Sequence, residues 1–399
     1  MKILILGFGK TGQAVYNFLS KYDYYLGVYD QNYLELENAK YYSIDDLKNK
    51  LPLFDICIRS PGIKRTSEVY HLGEILSKKM VSEIEFSLNF LKTKHIVGVT
   101  GSNGKTTTCQ MIKTILDEKY HTFLLGNIGI PLISYVETIK EDDILILELS
   151  SFILENTMSL PCEVVVYTSL SENHLDGVEN LSIYYGSKKR LLFQKPLLLV
   201  CDSSTEEIFH LNQNRSNYLD GYKFNLSKVN QKNLNHAIEV ANYYQLNHEQ
   251  IQSGINKIKI DHYRQEIIFR SRLFVFVNDS KSTSVDATNS CIDQFEDDKK
   301  ILILSGMFKS DDVNKFHLSK VSRVYVYGQM TNLFSNSIIK MSSLKEILLD
   351  IKNTIKVECV ILFSPGGSSF DLYKSYQERG EDFNILVKKI WKSELENIK

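Results

Sequence analysis

Short runs of β-branched or Leu-rich residues recur along the chain, and each leads through a Gly- or Ser-containing turn into a longer stretch with helical spacing. This order is typical of parallel α/β layers. Several runs are apolar throughout, as strands covered on both faces must be. The candidate strands are Lys2–Leu6, Tyr25–Tyr29, Ile56–Arg59, His95–Thr100, Ile144–Leu149, Val164–Thr168, Leu197–Cys201, Phe274–Val277, Ile301–Ser305, Val324–Tyr327 and Val360–Phe363.

Three of these strands open directly into polar or Gly-rich turns, after Leu6, Val99 and Val277. Helical sequence ends before the second and the third of them, so we expect domain boundaries near Lys92 and Ile260. The pattern therefore predicts an α/β protein with three domains in series, at residues 1–92, 93–260 and 261–399.

The composition excludes several classes of protein. The 47 Lys and Arg residues against 48 Asp and Glu give a net charge of −1, so no global field attracts nucleic acid or an acidic membrane. Apolar residues make up 43% of the chain, which is typical of a folded globular protein. No apolar run is long enough for a membrane span, and the six scattered cysteines, without a C-x-x-C pair, predict reduced, mostly buried thiols in a cytoplasmic protein.

The strongest chemical signal is the segment TGSNGKTTT, which begins at Thr100 and joins an apolar strand to a helix. Its glycines allow backbone N–H groups to converge on phosphate oxygens, Lys105 can reach the terminal phosphates, and the Thr106 hydroxyl can bind Mg²⁺. The spacing G-x-x-G-K-T is shorter than the usual phosphate-loop pattern, but the context predicts a mononucleotide site.

A second Gly-rich turn, GFGKTG at residues 7–12, follows the first strand and opens a helix. Asp30 closes the next strand at the spacing found in dinucleotide-binding folds. The turn predicts a diphosphate held at a helix N-terminus, and a nicotinamide enzyme is a competing interpretation. The segment Ser60-Pro61-Gly62 would suit either ligand.

Glu148 ends an all-apolar strand, where a carboxylate without a cation is costly. Mg²⁺ beside the phosphate loop would remove that cost. The polar segment SENHLD at residues 171–176 offers His174 as a second ligand, and a structural role for this histidine is equally compatible with the spacing.

Polar strand ends also cluster in the last third of the chain. Asn278 to Ser284 reads NDSKSTS, where helix capping is the simpler interpretation, and the segments KSDD from Lys309 and SPGGSSFD from Ser364 follow two further strands. Three anion-compatible strand ends in one domain predict a binding face.

The sequence resembles the Mur ligase family, the ATP-dependent amide-forming enzymes of peptidoglycan precursor synthesis. The resemblance runs from the first strand almost to the C-terminus, on the segments GFGKTG, SPG, TGSNGKTTT, GNIGIP, ELSSF, SENHLD, NDSKST and SPGGSSFDLYKSYQERG. The last two favour the member that adds D-glutamate to UDP-N-acetylmuramoyl-L-alanine, with addition of a different amino acid as the alternative.

The resemblance implies an N-terminal Rossmann-like domain for the UDP-sugar, a central P-loop ATPase domain and a C-terminal Rossmann-like domain for the amino acid. It implies Lys105, Glu148, His174 and Lys188 as catalytic residues, and two Mg²⁺ sites held by Thr106, Glu148, His174 and a carbamylated Lys188, with Lys189 as the alternative lysine. The implied UDP-sugar contacts are Gly9, Lys10, Thr11, Asp30, Ser60, Pro61, Gly62 and Asn127.

The implied ATP contacts are Gly101, Ser102, Asn103, Gly104, Lys105, Thr106, Thr107, Arg264 and Asp279, and those to D-glutamate are Lys281, Thr283, Lys309, Ser369 and Tyr376. Two departures affect the adenine region: Tyr263 stands where the family usually has histidine, and the segment Lys232 to His236 replaces an H-N-x-x-N pattern.

Two other classes account for less of the sequence. A nicotinamide-dependent oxidoreductase leaves the Lys105 loop and Glu148 without a role. A non-enzymatic nucleotide sensor does not need the charged strand ends near Glu148 and Lys188. The expectation is a monomeric cytoplasmic enzyme without nucleic-acid or membrane partners.

Overall fold

The computed structural model describes residues 1–49, 53–170, 181–211, 216–224, 226, 228–259, 262–295, 299–308, 313–334 and 338–392. The strands are β1 (Lys2–Leu6), β2 (Tyr25–Tyr29), β3 (Lys40–Tyr41), β4 (Phe54–Arg59), β5 (Ser77–Ser82), β6 (Ile96–Thr100), β7 (Thr122–Gly126), β8 (Ile144–Glu148), β9 (Val164–Tyr167), β10 (Leu198–Cys201), β11 (Glu266–Arg270), β12 (Phe274–Asn278), β13 (Lys300–Ser305), β14 (Arg323–Tyr327), β15 (Ile339–Lys340) and β16 (Cys359–Gly366). The helices are α1 (Lys10–Leu19), α2 (Ile44–Lys48), α3 (Glu68–Leu76), α4 (Glu83–Ser87), α5 (Lys105–Leu116), α6 (Ser151–Leu154), α7 (Leu181–Phe193), α8 (Ser203–Phe209), α9 (Lys228–Tyr243), α10 (His248–Lys257), α11 (Val285–Asp293), α12 (Leu344–Thr354) and α13 (Tyr376–Ile390).

Two parallel sheets lie in the first compact unit, which comprises the described residues up to 224 together with 232–258. The first sheet has the strand order β3-β2-β1-β4-β5, and the second has the order β10-β9-β6-β8-β7. Strands β6 and β8 are buried along their whole length. Because ligands bind beyond the carboxyl ends of such strands, the turns that follow β1, β6 and β8 are well placed for chemistry.

The third sheet belongs to the second unit, which contains the described residues from 262 onward. Its order is β11-β12-β16-β13-β14-β15, and only the pairing of β11 with β12 is antiparallel. The predicted α/β architecture is therefore confirmed.

The two sheets of the first unit share one hydrophobic core. Ile5 and Phe18 from the first sheet and its helix belong to the same buried cluster as Leu145 and Val165 from the second sheet. The second unit packs separately, around the rings of Phe276, Phe363, Phe383 and Trp391 among others. Burial of apolar area on both faces of each sheet is the main term that stabilises these layers.

The six cysteines all lie within the described residues and form no disulfide, as the sequence predicts. Five are buried and Cys201 is half-buried. Burial raises the pKa of the Cys57, Cys109, Cys162 and Cys291 thiols well above the usual value, so these side chains behave as small apolar groups.

All the candidate strands are present, with some ends shifted by one to three residues. Five further strands, β3, β5, β7, β11 and β15, were not predicted, and each lies at the edge of its sheet. The predicted helix after Val277 begins at Val285, where the Ser284 side chain accepts a hydrogen bond from the Ala287 N–H. No helix in the described ranges has the length and hydropathy needed to cross a membrane.

Arg379 ties two strand ends together inside the second unit. Its guanidinium is fully buried and donates to the Ser280 side chain at 3.1 Å, to the Ser280 carbonyl at 2.8 Å and to the Gly367 carbonyl at 2.9 Å. Ser280 follows β12 and Gly367 follows β16, so one side chain sets the spacing of both turns.

We expect Arg379→Met to lower the free energy of unfolding of the second unit by about 3 kcal/mol, because two buried carbonyls lose their donors. The measurement is urea denaturation followed by circular dichroism. Arg323→Met is the matched control, because the Arg323 side chain is 36% exposed and its loss should cost less than about 0.5 kcal/mol. Equal effects of the two substitutions would contradict this role of Arg379.

Candidate active site

The phosphate-loop candidate lies between β6 and α5, as predicted. Gly104 has φ of +83°, and a Cβ there would lie 2.8 Å from Oδ1 of Asn233. A Cβ at Gly101 would lie 2.2 Å from Oγ1 of Thr168. Both positions therefore require glycine, and the loop delivers backbone N–H groups to the N-terminus of α5, where an anion is stabilised.

Two lysine amines meet at this loop. Lys105 Nζ donates to the carbonyls of Gly101 and Ser102, each at 2.9 Å. Lys188 Nζ donates to the Gly101 carbonyl at 2.9 Å and to Thr100 Oγ1 at 3.1 Å. Lys188 is 1% exposed, and burial, together with the charge of Lys105, holds its pKa well below the ordinary value.

The alternative lysine lies elsewhere. Lys189 Nζ lies 5.8 Å from the centre of the Phe209 ring, on another side of α7. The structure thus brings Lys188, and not Lys189, to the phosphate loop. Tyr184, one turn before Lys188, shares a hydrogen bond of 2.9 Å with Ser102 through their hydroxyls.

Glu148 provides a buried carboxylate at the end of β8, beside β6. It is 3% exposed, and its Oε1 accepts a hydrogen bond of 3.2 Å from the Asn127 side chain. Its Oε2 is buried without a hydrogen-bond partner among the described residues. A buried oxygen of this kind fits a hard divalent cation, which prefers carboxylate ligands.

The other metal ligands implied by the resemblance are only partly described. Thr106 is the second residue of α5, adjacent to Lys105, and Thr107 follows it. His174 lies outside the described residues. Within the described ranges, no group of three or more His, Cys, Asp or Glu side chains comes together.

The first Gly-rich turn is held by short polar contacts. A Cβ at Gly12 would lie 2.0 Å from the Gly7 carbonyl, so helix α1 packs directly on the turn. The Asp30 carboxylate accepts from the Phe8 N–H at 2.8 Å, and the Ser60 hydroxyl donates to the Gly7 carbonyl at 2.9 Å. Gly9 precedes α1 and Lys10 and Thr11 begin it, so they lie at its N-terminus.

A cavity of about 130 Å³ adjoins this turn. Three of the predicted UDP-sugar contacts line it, namely Thr11, Pro61 and Asn127, whereas Gly9, Lys10, Asp30, Ser60 and Gly62 are not in its wall. The remaining lining residues are Arg59, Ser82, Glu83, Ile84, Gly126, Gly129, Pro131, Phe152, Ile153 and Asn156. Arg59 and Glu83 were not predicted, although Arg59 is a charge at the end of an apolar strand, which is the signal that identified Glu148.

Most of the predicted amino-acid contacts lie in the second unit. Lys281 Nζ is 5.8 Å from the centre of the Tyr376 ring, Ser369 is buried and Thr283 is exposed. Lys309 lies outside the described residues.

Two predicted ATP contacts also belong to the second unit. Asp279 is buried and accepts hydrogen bonds from the hydroxyls of Ser282 and Ser364, while burial raises its pKa to about 6. The Arg264 Nε is buried without a partner among the described residues.

The two departures in the adenine region have visible structural consequences. Tyr263 adopts φ of +68° and donates its hydroxyl to Glu381 at 3.0 Å. His236 is buried with Nδ1 unpartnered in the described part of the chain, and burial lowers its pKa to about 4, so the ring is neutral at pH 7.

Comparison with known proteins agrees with this geometry. Residues 99–263 match the model of the Mur ligase middle domain. The chain is 30% identical to the UDP-N-acetylmuramoylalanine–D-glutamate ligase of Buchnera aphidicola over 98% of both chains, and 30% identical to the protein of that name from Petrotoga mobilis over 98% of this chain and all of the relative. The chain belongs to the Mur ligase family.

Solved structures support the fold of this Mur ligase. It aligns with the MurF ligase of Thermotoga maritima in complex with ADP at a TM-score of 0.57 and 15% identity, over 97% of this chain and 95% of that one. It aligns with MurC of the same organism at a TM-score of 0.51 and 16% identity, over 98% and 100%. The expected three-domain Mur ligase architecture is thus confirmed.

Glu83 lines the cavity of this Mur ligase, and its titration makes the stability of the protein depend on pH. Its side chain is buried and accepts a hydrogen bond from the Ile133 N–H at 2.6 Å, and burial raises its pKa from 4.5 to about 7. Because the folded protein binds this proton more tightly than the unfolded chain, the stabilisation is present below pH 4.5 and is lost as the pH rises through about 7.

We expect the free energy of unfolding of Glu83→Gln, relative to wild type, to increase by about 2 kcal/mol between about pH 5 and pH 8, because the amide carries no charge to desolvate. Urea denaturation at both pH values measures it. Glu137→Gln, at a carboxylate that is 58% exposed, is the control and should show no such change. A constant difference between Glu83→Gln and wild type would contradict the assignment.

Proposed function

We propose that this Mur ligase joins D-glutamate to UDP-N-acetylmuramoyl-L-alanine, with ATP converted to ADP and phosphate. The observation that carries the proposal is the match over nearly the whole chain to relatives named UDP-N-acetylmuramoylalanine–D-glutamate ligase. Further support is that the amines of Lys105 and Lys188 meet at the loop after β6 while Glu148 ends the neighbouring strand β8, because phosphoryl transfer needs positive charge and a buried metal site close together.

The chemistry follows from the poor reactivity of a carboxylate. Transfer of the γ-phosphoryl group of ATP to the alanyl carboxylate forms an acyl phosphate, and the D-glutamate amine then attacks its carbonyl carbon. The tetrahedral intermediate expels phosphate and loses a proton from nitrogen, which leaves the amide. Lys105 and the N-terminal N–H groups of α5 would spread the charge of the transferred phosphoryl oxygens.

We propose that Thr106, Glu148, His174 and a carbamylated Lys188 hold Mg²⁺ at two sites. Bound Mg²⁺ would neutralise charge on the phosphates. The Oε2 of Glu148, which has no hydrogen-bond partner among the described residues, supports a metal at this position. The lowered pKa of Lys188 supports carbamylation, because only the neutral amine adds to CO₂ to form a carbamate with release of a proton.

The remaining roles are proposals of the same kind. The nucleotide would contact the loop from Gly101 to Thr107 together with Arg264 and Asp279, and the UDP-sugar would contact Thr11, Pro61 and Asn127 in the cavity wall, with Gly9, Lys10, Asp30, Ser60 and Gly62 beside it. D-Glutamate would contact the set Lys281, Thr283, Lys309, Ser369 and Tyr376. We also propose domain boundaries near residues 92 and 260 and a monomer that acts in the cytoplasm.

The decisive test is phosphate release by the purified protein with ATP, Mg²⁺ and UDP-N-acetylmuramoyl-L-alanine. We expect turnover that requires both the nucleotide sugar and D-glutamate, and none with L-glutamate, D-aspartate or L-lysine. The Lys105→Ala protein is the control for contaminating ATPase activity. Turnover with a different amino acid would show that the enzyme is specific for that amino acid and not for D-glutamate. The absence of turnover with all four amino acids would overturn the proposed activity.

We expect Lys188→Ala to lower this turnover by about 10- to 100-fold, because loss of a group that supports a metal site typically costs that much. Short carboxylic acids added to the assay should restore part of it by supplying the missing carboxylate. Lys189→Ala is the matched control and should keep most activity, since its side chain lies beside Phe209. Rescue of Lys189→Ala in place of Lys188→Ala would show that the modified lysine is the other one.

A further inference from the structure

Arg59 is a buried cation in the wall of the cavity. It ends β4, directly before Ser60-Pro61-Gly62, and it is 2% exposed. It lines the cavity together with Pro61. The proposed reaction assigns it no role.

The Arg59 guanidinium connects two distant segments of the first unit. Its Nε donates to the Ile63 carbonyl at 2.8 Å, which closes the turn that contains Pro61. Its Nη1 donates to the Phe152 carbonyl at 3.1 Å, to Glu155 at 2.9 Å and to Asn156 at 2.6 Å. Phe152 and Asn156 also line the cavity, so Arg59 holds two of its walls at a fixed separation.

The surroundings keep this guanidinium in one orientation. Its central carbon lies 5.2 Å from the centre of the Tyr70 ring, and the Tyr70 hydroxyl accepts from the Asn156 side chain at 3.3 Å. The Arg59 and Glu155 side chains are only 1% and 4% exposed. Arginine suits this position because its planar fork holds Nε and Nη1 in fixed, separate directions, so that it reaches Ile63 and the segment from Phe152 to Asn156 together; the donors of a lysine amine all lie on one atom.

Stability alone does not explain the buried ion pair between Arg59 and Glu155. Nη2 is buried without a hydrogen-bond partner in the described part of the chain, and a buried ion pair often stabilises no more than apolar side chains of the same size. The Arg59–Glu155 pair does fix the relative position of the two segments that Arg59 contacts. Ser60 binds the Gly7 turn on one side, and on the other side α6 begins three residues after Glu148.

We propose that Arg59 is a positioning residue, which sets the distance between the loops that hold the nucleotide sugar and the strand end that carries Glu148. The inference rests on the proposed function. A sugar-linked carboxylate bound at the Gly7 turn and at Pro61 must reach the phosphate loop, and Arg59 joins the Pro61 turn to the segment of α6, which begins three residues after Glu148.

The test compares Arg59→Met, Arg59→Lys and the double variant Arg59→Met/Glu155→Leu. Arg59→Met leaves the Glu155 carboxylate buried and unpaired, so it is expected to lose stability. The double variant replaces the pair by apolar side chains and should recover that stability. Lys21→Met is the matched control, because the Lys21–Glu137 pair also connects the N-terminal and central segments, at 2.7 Å, but with both side chains more than half exposed.

We expect the stable double variant to bind UDP-N-acetylmuramoyl-L-alanine about 10-fold more weakly in calorimetry without ATP, and to raise KM for that substrate while KM for ATP is unchanged, since small misplacements of a bound group are costly. For Arg59→Lys, the affinity and the KM for the nucleotide sugar should lie between those of the double variant and those of the wild type. Wild-type binding and KM in the folded double variant would overturn the inference and leave the proposed function intact. Failure of the wild type itself to bind the nucleotide sugar would overturn both.

Discussion

The carbonyl oxygen of Gly101 accepts hydrogen bonds from the amines of both Lys105 and Lys188, and the geometry of the central site depends on this shared acceptor. Two ammonium groups so close together, one of them buried, repel each other, and the repulsion adds to the desolvation that favours a neutral Lys188. The arrangement needs glycine at residue 101, because any side chain there would collide with Thr168. A single backbone atom thus links the loop conformation to the chemistry of a lysine.

Side chains that line the cavity connect the same region to the first sheet. Asn127 lines the cavity and also donates to Glu148, so one amide contacts both the proposed sugar pocket and the proposed metal carboxylate. Arg59, which also lines the cavity, makes a second connection through Glu155. Because both sheets share one core, these contacts rest on a rigid base, which is what positioning of a reactive carboxylate requires.

The central strands and the phosphate loop could be predicted from the sequence because parallel strands buried on both faces are apolar throughout, and a lysine that opens a helix directly after a Gly-rich turn is typical of phosphate binding. Most edge strands could not, although the apolar β10 could. Strand β5, for instance, reads SKKMVS, since an edge strand has a neighbour on one side only and tolerates polar residues. The choice between Lys188 and Lys189 depends on which side of α7 is buried. Arg59 was missed because its acceptors other than Ile63 lie more than 90 residues away in the sequence.

The distribution of the cysteines allows the unfolding of this chain to be followed one sheet at a time. Cys57 lies in the first sheet, Cys162 is packed against Gly98 of the second, and Cys359 lies in the third. Cys57 and Cys162 are buried sulfhydryls with raised pKa values, so an alkylating reagent reaches neither sulfur until its own layer separates. Each sheet therefore has a cysteine of its own that reports on its opening, and the order in which these sulfurs are alkylated during unfolding would give the order in which the sheets separate.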